Sequence, residues 1–201
     1  MLELLKQIDT NIFLLINQAN SDILDTVMYY ASTTFIWIPL YLIILAQLII
    51  KYKRIALIAT LFLILSIALA DLSSVHLFKN VFQRLRPCYE PGLADIINNI
   101  VGCGGKYGFV SSHAANSFVI VIMVIKLLGD KYKWLNWFMP LWGILIIYSR
   151  IYLGKHYPGD VIVGSLLGLL IGWLVFFLFS KTVKYISNNA NNNWASFFHS
   201  K

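Results

Sequence analysis

Asp160 is the fourth residue after His156 in the stretch Ser149-Arg150-Ile-Tyr-Leu-Gly-Lys-His156-Tyr-Pro-Gly-Asp160. At that spacing the carboxylate can bind one imidazole nitrogen and hold the other free for nucleophilic attack. The bland alternative is a polar turn, in which Pro158 and Gly159 make the bend and Asp160 caps the next helix. A second stretch, Gly108-Phe-Val-Ser111-Ser112-His113, stands immediately before an apolar run, so its serines mark a helix start. Serine there is ordinarily only an N-cap, but the free N–H groups and the positive dipole end also favour an anion, and His113 in the first turn can face the same place. A third stretch, Lys79-Asn-Val-Phe-Gln-Arg84-Leu-Arg86-Pro87, carries three cations in eight residues. Snorkelling to lipid headgroups would account for them, and so would a bound phosphate.

The elements that must position these residues are membrane helices. Of 201 residues 59% are hydrophobic and 12% charged, which is far from the balance of a soluble domain. A bilayer core of about 30 Å is crossed by roughly 17 to 25 apolar residues in a helix. Five runs qualify: Thr34 to Ile50, Ile55 to Phe78, Ser112 to Leu128, Trp134 to Leu153 and Val161 to Ser180. Lys51, Lys53 and Arg54 form a basic cluster at the end of one run; Lys126, Lys131 and Lys133 form a second, Lys181 and Lys184 a third. With all three inside, the orientation is consistent throughout, and both Arg86 to Val110 and Gly154 to Gly159 fall on the outer face. The three cations of Lys79 to Arg86 then run against the positive-inside rule, which favours an anionic partner there.

The expected fold is all-α, an integral membrane helical bundle of five or six transmembrane helices. The alternatives turn on the first 30 residues, where Leu4, Leu5, Ile8, Ile12, Phe13 and Ile16 recur at helical spacing among Glu3, Lys6, Asp9 and Asn17. An interfacial helix and a sixth, poorly apolar span both fit. No cleavable signal peptide is evident, because Lys6 is followed by Asp9 and Asn11. Residues 1–187 read as a single domain and 188–201, rich in Asn, as a polar tail.

The net charge of +7 raises nucleic acid as a partner, but the cations sit at the ends of apolar runs and the aromatics inside or beside them, so none is expected. Cys88 and Cys103, the two cysteines, both fall in the long outer loop, where an oxidising envelope compartment favours a disulfide. In the chain-entropy model, closing a loop of that length contributes roughly 3 kcal/mol.

Taken together, the three stretches resemble the type 2 phosphatidic acid phosphatase superfamily of membrane lipid phosphatases, whose signature is KxxxxxxRP, PSGH and SRxxxxxHxxxD. The first part matches at Lys79, Arg86 and Pro87, and the third at Ser149, Arg150, His156 and Asp160. The second keeps Ser111 and His113 but has Val110 for the proline and Ser112 for the glycine. The resemblance covers roughly residues 71–167. It implies that His156 attacks phosphorus, that Asp160 orients it, and that His113 protonates the leaving oxygen and later activates water. It also implies that Lys79, Arg86, Ser111, Arg150 and the backbone amides at that helix start hold the phosphate, without metal or cofactor, while Ser112, standing where the family has glycine, either narrows the pocket or adds a phosphate donor. Consistent with that, Asp160 is the sole acid in these motifs, too few for a magnesium site. Arg84, Lys106 and Lys155 lie outside the signature and read as further headgroup or phosphate contacts.

Two rival readings are a non-catalytic protein that holds a phosphorylated lipid and, within the same superfamily, a soluble vanadium haloperoxidase. A histidine with its own carboxylate and a second histidine opposite argues against the first, and five apolar spans against the second. The expected partners are a phosphorylated lipid and the bilayer, at a bacterial inner membrane with the site facing outward. The motifs read the phosphate and not its carrier: undecaprenyl diphosphate, lipid A, phosphatidylglycerol phosphate and phosphatidic acid all fit, with the first two favoured. Oligomeric state is not legible.

Overall fold

The computed structural model describes residues 2–189, and among these the chain is helical, its only strand-like pairing being one bridge between Leu85 and Tyr107. The polar tail expected from Asn188 lies, from residue 190 onward, outside the described residues. Eight α-helices follow in order: α1 (Leu2–Gln18), α2 (Asp22–Ser32), α3 (Ile38–Tyr52), α4 (Ala56–Ser73), the single turn α5 (Asn80–Phe82), α6 (Ser112–Leu128), α7 (Leu135–Tyr152) and α8 (Pro158–Asn189).

Helices α3, α4, α6, α7 and α8 coincide with the five apolar runs, with ends that differ by a few residues. Thr34–Trp37 is a 3-10 turn before α3, and Lys53, at φ 47°, breaks the chain between α3 and α4. Helix α8 runs nine residues past Ser180, the expected end of the apolar run, because nothing in Lys181 to Asn189 is a helix breaker. At 32 residues it is about 48 Å long, more than a bilayer core needs. The stretches Thr34–Phe82 and Pro158–Asn188 are long and apolar enough to cross a membrane.

Helix α6 is the centre of the bundle, packed on α8, α7 and α4. Ala115, Val119, Met123 and Leu127 are buried along it, at the spacing of one helical face. Its contact with α8 is made by a stripe of glycines, Gly164, Gly168 and Gly172, which lie against Ser111, Ala115 and Val119. Helices in lipid gain little from apolar burial, so close backbone approach at small residues supplies the packing. A Cβ at Gly168 would enter the Ala115 carbonyl, and one at Gly164 would come within 2.6 Å of the Ser111 carbonyl oxygen. Gly168→Leu should therefore lower stability by about 3 kcal/mol, the upper end for overpacking. Gly105→Ala, with open space around it, should leave the thermal unfolding midpoint in detergent unchanged.

The N-terminal segment is two helices rather than one, and both are built into the same end of the bundle. Asn17 of α1, fully buried, donates to the carbonyls of Asn98 (2.8 Å) and Tyr152 (2.7 Å) and accepts from the Asn98 N–H (2.8 Å). Asp25 of α2 accepts from the Tyr152 hydroxyl (2.6 Å) and from Asn98 Nδ2 (3.1 Å). Phe13 packs edge-on to Tyr157, ring centroids 5.4 Å apart. The opposite end is tied by Lys51, which donates to Asp130 and to the Leu127 carbonyl.

Candidate active site

Each of the three polar stretches reaches one end of the bundle by its own device. Helix α4 continues into a π-helical segment, Ser74–Lys79, and stops where Gln83 adopts a left-handed φ of 47°. The widened turns carry Lys79 toward α6, where its ammonium donates to the Ser112 hydroxyl; Ser112 also shares a 2.6 Å hydrogen bond with Ser74. Arg84 to Arg86 then run extended beside residues 106–108, with Arg86 N–H donating to Lys106 (3.2 Å) and Gly108 N–H to Arg84 (2.8 Å). At the end of α7, Gly154 takes φ 71° and closes the helix, so that Lys155 N–H reaches the Arg150 carbonyl (3.1 Å) and the chain turns back with His156 buried.

His156 and Asp160 meet. Imidazole Nδ1 lies 3.5 Å from Asp160 Oδ2, and the two residues are 1% and 0% exposed. Gly108 sits over this pair, where a Cβ would stand 3.1 Å from Arg86 Cγ and 3.2 Å from Asp160 Oδ2 and press both back by a few tenths of an ångström. Asp160 accepts from the Tyr157 N–H (3.1 Å) and its own carbonyl accepts from the Ser111 N–H (3.0 Å), which locks α8 to the start of α6. Burial foremost, then the positive charges of Arg86, Arg150 and Lys79, hold the His156 pKa well below the ordinary 6.5. The imidazole is thus neutral at physiological pH, the state a nucleophile needs.

The remaining charges are arranged around that ring. Arg150, 8% exposed, donates to the Ser32 hydroxyl of α2, while its Nε is buried without a hydrogen-bond partner among the described residues. Arg86 Nε donates to the Tyr107 carbonyl (3.4 Å). His113 opens onto a cavity of about 480 Å³ between α3, α4, α6 and α7, walled by Trp37, Ile44, Leu48, Leu63, Ile67 and Trp142, with Ser112, Asp71 and Asn116 near His113. The start of α6 and the start of α8 both point at this end, adding two positive dipole ends to three cations. Such an arrangement suits an anion electrostatically, and a buried neutral imidazole is a form able to attack one.

The PAP2 superfamily profile matches residues 59–184. The chain belongs to the PAP2 superfamily. It is 37% identical to the lipid A 4'-phosphatase of Bacteroides thetaiotaomicron over 90% of this chain and 81% of that one. It is 32% identical to the lipid A 4'-phosphatase of Porphyromonas gingivalis over 87% of this chain and 74% of that one. In fold it is similar to the transmembrane PAP2 type phosphatidylglycerolphosphate phosphatase of Bacillus subtilis, with a TM-score of 0.67 over 88% of this chain and 87% of that one at 24% identity.

Within this PAP2 site, the residues expected to hold phosphate divide into two kinds. Lys79, Arg86 and Arg150 act together on His156, whereas Ser111 is fully buried and its hydroxyl caps α6 by accepting from the Ala114 N–H (3.4 Å). Ser112, at the PAP2 glycine position, is the tie between Lys79 and α6. Cys88 and Cys103 are joined by a disulfide, Cα atoms 5.9 Å apart, which closes the loop beside Arg86. Two of the three cations read as further phosphate contacts are engaged elsewhere: Lys155 donates to the Val101 (3.1 Å) and Gly102 carbonyls, and Arg84 to Asp9 and Asp160. Burial first, then Arg150 and Arg86, bring the Lys155 pKa down to about 8. Among the described residues no cluster of three or more His, Cys, Asp or Glu side chains gathers. No motif points to Ser32, and Asp9, one of several charged residues beside Glu3 and Lys6 on the same amphipathic pattern, carries no local sign of its place at the site.

Proposed function

We propose that this membrane lipid phosphatase removes the 4'-phosphate of lipid A through a phosphohistidine on His156. The observation that carries this reading is the cationic pocket of Lys79, Arg86 and Arg150 around a buried neutral histidine, set at the mouth of an apolar cavity. The pocket suits a phosphate and the cavity suits the apolar part of its carrier, which enters from the bilayer. Two lipid A 4'-phosphatases matching nearly the whole chain support that carrier.

In this reading Lys79, Arg86, Arg150 and the N–H groups at the start of α6 hold the phosphoryl oxygens as charge spreads over them. His156 Nε2 attacks phosphorus while Nδ1 faces Asp160, and the bond from phosphorus to the lipid oxygen breaks. His113 gives that oxygen its proton, then takes one from water, whose oxygen displaces phosphate from His156 and restores both rings. Five helices, α3, α4, α6, α7 and α8, span the inner membrane with the site at the periplasmic face. Helix α1 lies in the outer interface, exposing Leu4, Leu5, Ile8, Ile12 and Leu15 to lipid while Phe13 and Asn17 face inward.

The test is phosphate release from lipid A, undecaprenyl diphosphate, phosphatidylglycerol phosphate and phosphatidic acid in detergent with excess chelator. Lipid A 4'-phosphate should be turned over fastest. Faster release from another lipid would replace the carrier and keep the chemistry; no release from any by folded protein would favour a phospholipid-binding scaffold.

A further inference from the structure

Arg84 stands outside the phosphate-binding motif, yet it makes the most specific contacts of any cation at this end of the molecule. Its Nη1 donates to Asp160 Oδ1 at 3.0 Å and its Nη2 to Asp9 Oδ2 at 2.7 Å. The guanidinium stacks on Tyr157, its carbon 4.0 Å from the ring centroid. Asp9 in turn accepts from the Gly159 N–H at 2.7 Å through Oδ1, so its two oxygens join Arg84 to the start of α8. A Cβ at Gly159 would stand 3.0 Å from that carboxylate, which shows how closely α1 is seated. Asp160 is left with Oδ1 held by Arg84 and Oδ2 held by Tyr157 N–H and facing His156.

We propose that Asp9 and Arg84 are positioning residues that set the rotamer of Asp160, and through it the orientation of the His156 ring, so that α1 is a working part of the active site. A carboxylate with no exposed surface needs a hydrogen-bonded cation to remain charged and in one place. Arg84 supplies it, with one N–H of each terminal nitrogen committed to a carboxylate. Asp9 offsets the second half of the Arg84 charge and fixes its plane, which Tyr157 also supports from one face. The chain of contacts thus runs from α1 to the nucleophile without touching substrate.

This inference rests on the histidine mechanism proposed above, so wild type and His156→Ala are measured first: release by the former and none by the latter upholds that mechanism independently. Arg84→Gln should then lower kcat about 10- to 100-fold, as removal of an outer partner of an oriented histidine does, with KM within about threefold. Asp9→Asn should lower kcat in the same manner by a smaller factor, Asp9→Glu should recover part of it, and the double variant should be no slower than Arg84→Gln alone. Arg84→Lys, which keeps the charge but cannot bridge two carboxylates, should fall between wild type and Arg84→Gln. A rise in KM with unchanged kcat in Arg84→Gln would make Arg84 a phosphate ligand and overturn the proposal. Equal and additive losses in Asp9→Asn and Arg84→Gln, with thermal midpoints lowered in proportion, would reduce the pair to a structural tether and overturn it as well.

Discussion

Replacing His156 with Ala should abolish turnover, lowering kcat by on the order of 10⁴-fold or more, as loss of the nucleophile does in other covalent hydrolases. The ring is buried at the centre of the cationic pocket, and among the described residues no other side chain with a nucleophilic nitrogen pairs with Asp160 in its place. Since Lys79, Arg86 and Arg150 all remain in the variant, substrate should still bind and KM should change little. Alkaline-quenched wild-type protein should retain phosphorus label from a labelled substrate, and His156→Ala should retain none. The sign of the pH dependence follows from the same environment. A base whose pKa is depressed stays unprotonated below the ordinary value, so kcat/KM should show no fall near pH 6.5 from this residue. Folding carries the reverse consequence: below about pH 6.5 the unfolded chain takes a proton on His156 that the folded chain refuses, so stability contributed by this group declines as pH falls. A profile of kcat/KM with its acid limb centred near 6.5 and absent in a His156 variant's residual activity would contradict the buried neutral nucleophile.

His113→Gln should cost about 10² to 10⁴ in turnover, the range for loss of a general acid and base. His113 stands in the first turn of α6 and opens onto the apolar cavity, on the side from which the lipid oxygen would approach. The two losses can be separated by the leaving group. With p-nitrophenyl phosphate, whose phenolate needs no proton, His113→Gln should give a rapid burst of one equivalent followed by slow turnover, because only the water step still lacks its base. With the lipid no burst should appear. Absence of a burst on both substrates, with full phosphoenzyme formation blocked, would assign His113 to phosphate binding and not to proton transfer.

Much of this architecture is legible along the chain, for identifiable reasons. The five long apolar helices are local features: a bilayer demands about 20 apolar residues per crossing, and Lys51, Lys53, Arg54, Lys131, Lys133 and Lys181 punctuate them. The triplet of motifs is legible because phosphoryl transfer through histidine needs particular residue types at helix ends, and those are short-range patterns. The pairing of His156 with Asp160 follows from their spacing of four. The disulfide of Cys88 with Cys103 follows from there being two cysteines in one long loop.

What tertiary structure decided was how surfaces far apart in sequence meet. Gly164, Gly168 and Gly172 are unremarkable in an apolar helix until α6 is placed against them, and only then does their lack of a Cβ set the distance between the two halves of the site. Ser112 departs from the PAP2 pattern in sequence, but in space it is the acceptor that holds Lys79. Asp9 and Arg84 are 75 residues apart, and neither belongs to a motif that names its partner. The role of α1 was ambiguous because its pattern suits an interface or a span equally; contacts at Phe13, Asn17 and Asp9 assigned it to the site end of the bundle. Helix length, hydropathy and motif spacing are properties of consecutive residues and so can be read from the chain alone. The ion pairs, the glycine seam and the apolar cavity exist only between segments, where packing chooses among contacts that no local pattern distinguishes.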